Sequence, residues 1–370
     1  MTQAARTRAL DDTFLAIVAD WRRGGPGCSE ADFDEHARAL CAYQLEFNAP
    51  YARFAKSLGF DTNALPATWQ EIPAVPSSAF KDATLATFPI AGAEALFHTS
   101  GTTVDTPGKH YLGRAALYDA ALAAAFDRFM LADGARLRYL NVVPNPRLRP
   151  HSSLGYMMGH VSVLRGDGRA AYFLDGDSVD VGGFTRALDE AIRAHVPVCI
   201  AGTAFGFVAL LDGLAAGGRH FAAPAGSRVM ETGGFKGRTR AVERRELYAR
   251  LESAFAIPYA SIVAEYGMTE LVSQYYDDLA SRASDTRVKA GPPWLRTLVV
   301  DERGREMARG ETGFLRHVDL GNRSSVVAIE TEDRGYATEG GFVLLGRDGD
   351  APPRGCSLDA EGLLVRAGRS

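Results

Sequence analysis

Four short stretches carry residue types whose spacing suits phosphate and nucleotide chemistry. The first is Thr99-Ser100-Gly101-Thr102-Thr103, followed by Pro107-Gly108-Lys109. Hydroxyls and glycine N–H groups in such a loop surround phosphate oxygens, and a lysine at its end adds charge. Its glycine spacing is not that of the GxxxxGK[ST] loop, and alone the pentapeptide also reads as a surface loop. The second is Glu231-Thr232-Gly233-Gly234-Phe235-Lys236-Gly237. Paired glycines between a strand and a helix allow close approach to a flat ligand such as a base, or simply make a turn. The third is Glu265-Tyr266-Gly267-Met268-Thr269-Glu270. Tyr266 offers a stacking face, Thr269 a hydroxyl for a phosphate, and Glu270 a carboxylate for a magnesium ion bridging phosphates. The fourth pairs Thr331-Glu332-Asp333 with Gly346-Arg347-Asp348, where a carboxylate and an arginine suit ribose hydroxyls; singly, each is an ordinary β-turn residue.

These stretches need elements to hold them. Apolar residues Leu10, Phe14, Ile17, Val18 and Trp21 recur at helical spacing and predict a helix over 7–23. A second helix is expected over 29–58, with Phe33, Leu40, Tyr43 and Phe47 inward, a break at Ala49-Pro50 and a stop at Gly59. The middle alternates: strand 95–98, a hydroxyl-rich loop, helix 114–131, strand 137–143, strand 196–201, helix 204–214, strand 228–231, helix 239–255 and strand 261–265. Alternation of this kind argues for a helix-covered, mainly parallel sheet, with ligands at the carboxyl ends of its strands. From Pro293 short β-rich pieces follow, at 295–300, 313–319, 325–331 and 341–345, and predict an appended antiparallel subdomain. The fold class is therefore α/β. The expected divisions are a helical segment packed on the main domain (1–90), an α/β core (91–292), a β-rich subdomain (293–347) and a tail (348–370).

Composition excludes several classes. The chain has 370 residues, 46% hydrophobic and 23% charged, with 41 Lys+Arg against 45 Asp+Glu. That is neither a disordered composition nor the basic excess of a nucleic-acid binder. No run approaches the ~18 apolar residues of a membrane span, and the polar start shows no secretory leader. Cys28, Cys41, Cys199 and Cys356 fit no zinc spacing, so a reduced, cytoplasmic protein is expected. Cys28, Cys41 and Cys199 read as buried or incidental. The lysines are Lys56, Lys81, Lys109, Lys236 and Lys289, few candidates for any site that needs one.

In order, the four stretches resemble the motifs of the AMP-forming adenylating superfamily (acyl-, aryl- and luciferase-like enzymes). TSGTT…PGK resembles its phosphate loop, EYGMTE its Y-G-x-T-E motif, TED its ribose-binding T-G-D, and GRD its hinge. Pro150-His151-Ser152-Ser153-Leu154-Gly155 is a weaker match to its acyl-pocket motif. ETGGFKG, EYGMTELVSQYY, VDLGN with TEDRG, and LGRDGDAPPRGCSL look most like the acyl-protein synthetase (LuxE-type) branch. The resemblance spans 97–358. Two departures stand out. Val104 occupies the place of a usual loop glycine. Only 22 residues follow Asp348, where the superfamily carries a lid domain that supplies a lysine. LuxE-type proteins share that short ending, and Lys236, Lys109 or an arginine are the candidates to replace the charge.

The resemblance implies ATP and Mg²⁺ as cofactors and a carboxylic acid as substrate, joined to AMP with release of pyrophosphate. It implies Thr99, Ser100, Gly101, Thr102, Thr103 and Lys109 at the phosphates and Glu270 at the metal. Gly233, Gly234, Glu265, Tyr266, Gly267 and Met268 would frame the nucleotide, with Asp333 and Arg347 on the ribose. Lys236 and Thr269 would approach the α-phosphate. His151, Tyr156 and Phe205 are pocket candidates for a fatty or an aromatic acid. Cys356, beside Arg354, stands where the branch carries its acyl-accepting thiol; a structural thiol is the alternative. A partner reductase or acyltransferase is implied as acceptor, and nucleic acid is not. An acyl-CoA ligase and a silent acyl- or nucleotide-binding homologue are the competing readings. Loss of the lid argues against the first, and retention of Glu270, Asp333 and Arg347 against the second.

Overall fold

The computed structural model describes residues 1–62, 64–99, 107–233 and 243–347. They form two compact, interleaved units. One holds Met1–Ala124, Met268–Gln274 and the chain from Gly291 on; the other holds Ala125–Gly267 and Tyr275–Ala290.

The second of these contains the parallel sheet. Strands run in the order Ala171–Asp175, Arg138–Pro144, Val198–Thr203, Arg228–Thr232, Ile262–Tyr266, all parallel. Antiparallel Tyr275–Asp277 and Val288–Ala290 follow on one side. Register places Leu140, Ile200, Val229 and Ile262 in one row across four strands, all fully buried. Helices Val181–Arg193, Ala204–Ala216 and Arg244–Phe255 cover that row with Phe184, Phe207, Leu210, Leu251 and Phe255. Two of these helices start on a side-chain cap. Thr203 caps Ala204–Ala216 by accepting from Gly206 N at 3.0 Å, and Asp180 caps Val181–Arg193 by accepting from Gly183 N at 2.7 Å.

The other unit is built from the amino-terminal helices and an antiparallel sheet. Helices Gln3–Arg22, Glu30–Phe47 and Ala49–Ser57 come first. The expected break near Ala49-Pro50 falls at Asn48, whose Oδ1 accepts from Tyr51 N at 3.2 Å. Strands Leu295–Val300, Thr312–Asp319, Ala328–Thr338 and Gly341–Arg347 pair in sequence order, and Val75–Pro76 runs parallel to Ala328–Thr338. Phe14 and Trp21 pack edge-on against Trp294 at 5.9 and 5.2 Å.

The α/β class with a large, mainly parallel, helix-covered sheet is the class expected. Four local readings change. Strand Ala95–His98 is not part of the parallel sheet; it pairs antiparallel with Lys109–Leu112 as a separate hairpin. Thr331-Glu332-Asp333 is not a turn but the middle of the eleven-residue strand Ala328–Thr338. Helices Ser153–Arg165 and Val181–Arg193 were not expected. Their weak or glycine-bearing starts, Ser-Ser-Leu-Gly and Val-Gly-Gly, hide the helical period. Helix 239–255 starts at Arg244 among the described residues, and 239–242 lie outside them. No described helix is long and apolar enough to cross a membrane.

Candidate active site

The hairpin Ala95–His98 with Lys109–Leu112 carries the two ends of the hydroxyl-rich loop. Ser100, Gly101, Thr102 and Thr103 lie outside the described residues. The neck of the loop is defined: Thr99 N donates to Gly108 O at 2.9 Å, and Gly108 N donates to Thr99 Oγ1 at 2.8 Å. A Cβ on Gly108 would meet the Phe80 backbone at 3.0 Å, so only a glycine closes the neck without a shift. Lys109 is exposed and paired in register with His98.

Thr269 is held to both strands of this hairpin. Its hydroxyl donates to His98 O at 3.4 Å, and its carbonyl accepts from His110 Nδ1 at 2.7 Å. His110 is fully buried, and burial pushes its imidazole down to about 4. Both ring nitrogens meet oxygens, Nδ1 the Thr269 carbonyl and Nε2 the Asn322 Oδ1 at 3.1 Å, while burial disfavours the doubly protonated ring. Met268 leads into a turn closed by Leu271 N to Met268 O at 3.1 Å, and Glu270, on that turn, is buried. Among the described residues no group of three or more His, Cys, Asp or Glu could hold a metal ion. Glu270 is a single carboxylate, the kind of ligand that hard Mg²⁺ takes together with substrate phosphates.

Asp333 and Arg347 are cross-strand partners in the antiparallel sheet, and Arg347 Nε donates to Asp333 Oδ1 at 2.6 Å. Asp333 N also donates to Thr331 Oγ1 at 3.1 Å, and Thr331 Oγ1 donates to Leu315 O at 3.0 Å. The threonine sets the strand; the aspartate and the exposed arginine present a paired acceptor and donor set.

In the unit with the parallel sheet, two motif strands end side by side. Thr232 and Glu265 are register partners, and Thr232 Oγ1 donates to Glu265 Oε2. Tyr266 is buried against Tyr275, ring centroids 6.0 Å apart. Gly233 follows directly with φ +71° and open space where a Cβ would sit, a left-handed bend suited to glycine and to a ligand surface. Gly267 closes the strand Ile262–Tyr266. Gly234 and Lys236 lie outside the described residues. His151 is exposed two residues before helix Ser153–Arg165, Tyr156 stacks with His160 at 6.3 Å, and Phe205 sits in the first turn of Ala204–Ala216.

Sequence patterns missed what lies behind these strands. Asp277 is fully buried between Arg287 Nη1 at 2.8 Å and Lys289 Nζ at 2.9 Å. Ala264 N donates to Asp277 Oδ2 at 2.8 Å, and Lys289 Nζ donates to Ala264 O at 2.7 Å. Side chains thus replace the ladder just below Glu265. Burial would raise the Asp277 carboxyl, but Lys289, Ala264 N–H and Arg287 together hold it below the ordinary range. Nearby Glu231 accepts from Tyr248 OH at 3.2 Å and is pushed up to about 7 by burial, with Lys289 opposing and Asp277 adding to the rise. The only sequence signal was a charge inside the apolar pieces Tyr-Tyr-Asp and Val-Lys-Ala.

Cys28, Cys41 and Cys199 are buried free thiols, and burial pushes them to about 11, 11 and 12. None is a thiolate near neutrality. Cys356 lies outside the described residues.

The fold has close counterparts among solved structures. 2-Hydroxyisobutyryl-CoA ligase in the postadenylation state, in complex with 2-HIB-AMP, superposes with a TM-score of 0.65 at 16% identity, covering 90% of this chain and 71% of that one. Its open conformation, in complex with 2-HIB-AMP and CoA, gives 0.63 at 16% identity, covering 88% and 71%. No curated protein matches the sequence. A family model described as acyl-protein synthetase, LuxE, matches residues 38–359. The class these findings define is that of the AMP-forming ligases. Within that class the chain belongs to the LuxE acyl-protein synthetase family.

Proposed function

We propose that the protein activates a fatty or aromatic carboxylic acid as an acyl-adenylate and then passes the acyl group to a thiol, its own Cys356 or one on a partner reductase or acyltransferase. The observation that carries this reading is Thr269, held through its hydroxyl and its carbonyl to both strands of the hairpin that frames the hydroxyl-rich loop, in a chain of the LuxE family.

A carboxylate is a poor electrophile at neutral pH. In the first step its oxygen attacks the α-phosphorus of ATP; the bond from that phosphorus to the β,γ-pyrophosphate breaks, and pyrophosphate leaves. Catalysis of such a step is positioning plus neutralisation of phosphate charge. In this reading the hydroxyls of 99–103 and Lys109 take the β,γ-phosphates, and Thr269 and Lys236 the α-phosphate. Glu270 would hold Mg²⁺, which would supply charge neutralisation. Gly233, Gly234, Gly267, Met268 and Tyr266 frame the adenine, with Glu265 fixed by Thr232. Asp333 and Arg347 take the ribose hydroxyls. His151, Tyr156 and Phe205 border the acid. In the second step a thiolate attacks the acyl carbon and AMP leaves. Arg354, two residues before Cys356 in the sequence, would favour the thiolate form.

The test is carboxylate-dependent exchange of labelled pyrophosphate into ATP over a panel of fatty and aryl acids. Exchange with one acid class is expected; none with any acid removes the reading in favour of a silent homologue. Consumption of free CoA would point to the acyl-CoA ligase alternative. Cys356→Ser should keep exchange and lose the covalent acyl-enzyme; full transfer activity in that variant removes Cys356.

A further inference from the structure

The chain segment that carries Glu270 is moulded by another segment far away in sequence. Residues 318–322 (Val-Asp-Leu-Gly-Asn) follow the strand Thr312–Asp319 and lie in the same unit as Met268–Gln274. Asn322 Nδ2 donates to Glu270 O at 2.8 Å. Asp319 Oδ2 accepts from Val272 N at 2.9 Å and Ser273 N at 2.8 Å, while Asp319 Oδ1 accepts from Ser273 Oγ at 2.9 Å and Gly321 N at 2.9 Å. Both side chains are fully buried. Gly321 lets the two segments meet: a Cβ there would lie 2.8 Å from Val272 Cγ1 and 2.9 Å from Phe14 Cζ. The mould is anchored in turn by the amino-terminal helices. Gln44 Nε2 donates to Asn322 O at 2.8 Å and its Oε1 accepts from Val327 N at 2.8 Å, and Asn48 Nδ2 donates to Ser325 O at 3.1 Å.

A backbone carbonyl fixed at residue 270 and N–H groups fixed at 272 and 273 leave the intervening peptides little freedom. The direction in which the Glu270 side chain leaves the main chain is therefore set by 318–322. We infer that Asn322, with Asp319, is a positioning residue that aims the Glu270 carboxylate at the divalent cation accompanying ATP. This rests on the reading of Glu270 given above.

The probe is Mn²⁺, titrated into the full-length protein with α,β-methylene-ATP and followed by the loss of the free-ion EPR signal. Asn322→Ala should weaken Mn²⁺ binding several-fold. Asn322→Asp, which sets an acceptor against Glu270 O, should weaken it about tenfold or more. Ser324→Ala, an equally buried change in the same loop that removes the acceptor of Gly113 N, should leave Mn²⁺ binding unchanged. Saturating Mg²⁺ should restore pyrophosphate exchange in Asn322→Ala and not in Glu270→Gln. Circular dichroism identifies folded variants, and either Asn322 variant suffices. Loss of Mn²⁺ binding in Glu270→Gln, with wild-type binding in a folded Asn322 variant, overturns the positioning role alone. Unchanged binding in Glu270→Gln overturns the reading of Glu270 and the positioning role with it.

Discussion

Two fully buried aspartates solve one problem by different means. Asp277 sits between two cations, Arg287 and Lys289, and takes one backbone N–H. Asp319 meets no cation among the described residues; three backbone N–H groups and the Ser273 hydroxyl surround it. Their carboxyls shift in opposite directions. Asp277 is held below its ordinary range, whereas burial raises Asp319 despite its four donors. Cations neutralise a buried charge; dipoles satisfy hydrogen bonds and leave more of the desolvation penalty standing. In exchange, dipoles carry direction. A carboxylate that reads backbone N–H groups fixes a turn, while an ion pair tolerates small displacements.

Breaking the ion cluster should have the largest effect. Asp277→Asn leaves Arg287 and Lys289 buried without their anion, and a loss of about 3–5 kcal/mol is expected in urea unfolding at pH 7. A loss under 1 kcal/mol would mean that the cations find other partners. Asp319→Asn turns an acceptor of four bonds into a group with an N–H₂ facing donors. About 2–3 kcal/mol is expected in the same measurement. The acid limb separates the two sites further. The Asp277 contribution is present above the unfolded carboxyl range and is lost as pH falls through its depressed folded value. The Asp319 contribution is present below the unfolded range and is lost as pH rises through its elevated one. Asp277→Asn should therefore flatten the loss of stability toward acid, and Asp319→Asn should steepen it. Parallel profiles would contradict the opposite signs.

Glu231 sharpens the comparison at higher pH. Its folded value near 7 lies above the unfolded 4.5, so its contribution is complete below pH 4.5 and is lost as pH rises through about 7. Glu231→Gln should raise the thermal midpoint relative to wild type at pH 8 and not at pH 5. Equal shifts at both would rule out titration. The smallest effect belongs to an exposed pair. Arg305→Ala removes the contact with Asp301 at 2.6 Å, where the arginine is largely exposed, and no more than about 0.5 kcal/mol should be lost.

How much of this was legible in the sequence follows from the range of each signal. The strands Leu295–Val300 and Ala95–His98 were readable to the residue because β-branched and apolar runs are local. That Ala95–His98 belongs to a hairpin was not, since its partner Lys109–Leu112 is charged at the start and follows an irregular loop. Motif residues such as Thr269 and Asp333 were named from order and type. The anchor of Thr269, His110, was not assigned, because a buried histidine has no spacing rule; Thr331 was named with Asp333, but as part of a turn rather than of a strand. The first 90 residues offered little chemistry in sequence, yet Gln44 and Asn48 grip the segment around Asn322 across more than 270 residues. Long-range polar contacts of this kind leave no periodic trace.

The interleaving of the two units limits how the molecule can be divided. A gene fragment encoding 125–290 would span every strand of the parallel sheet, yet it would also contain Met268–Gln274 without Asp319, Asn322 or His110. In such a piece Val272 and Ser273 would have to find water for N–H groups that the whole chain buries. Circular permutants, which keep both segments in one chain, are better opened in an exposed turn such as 302–303.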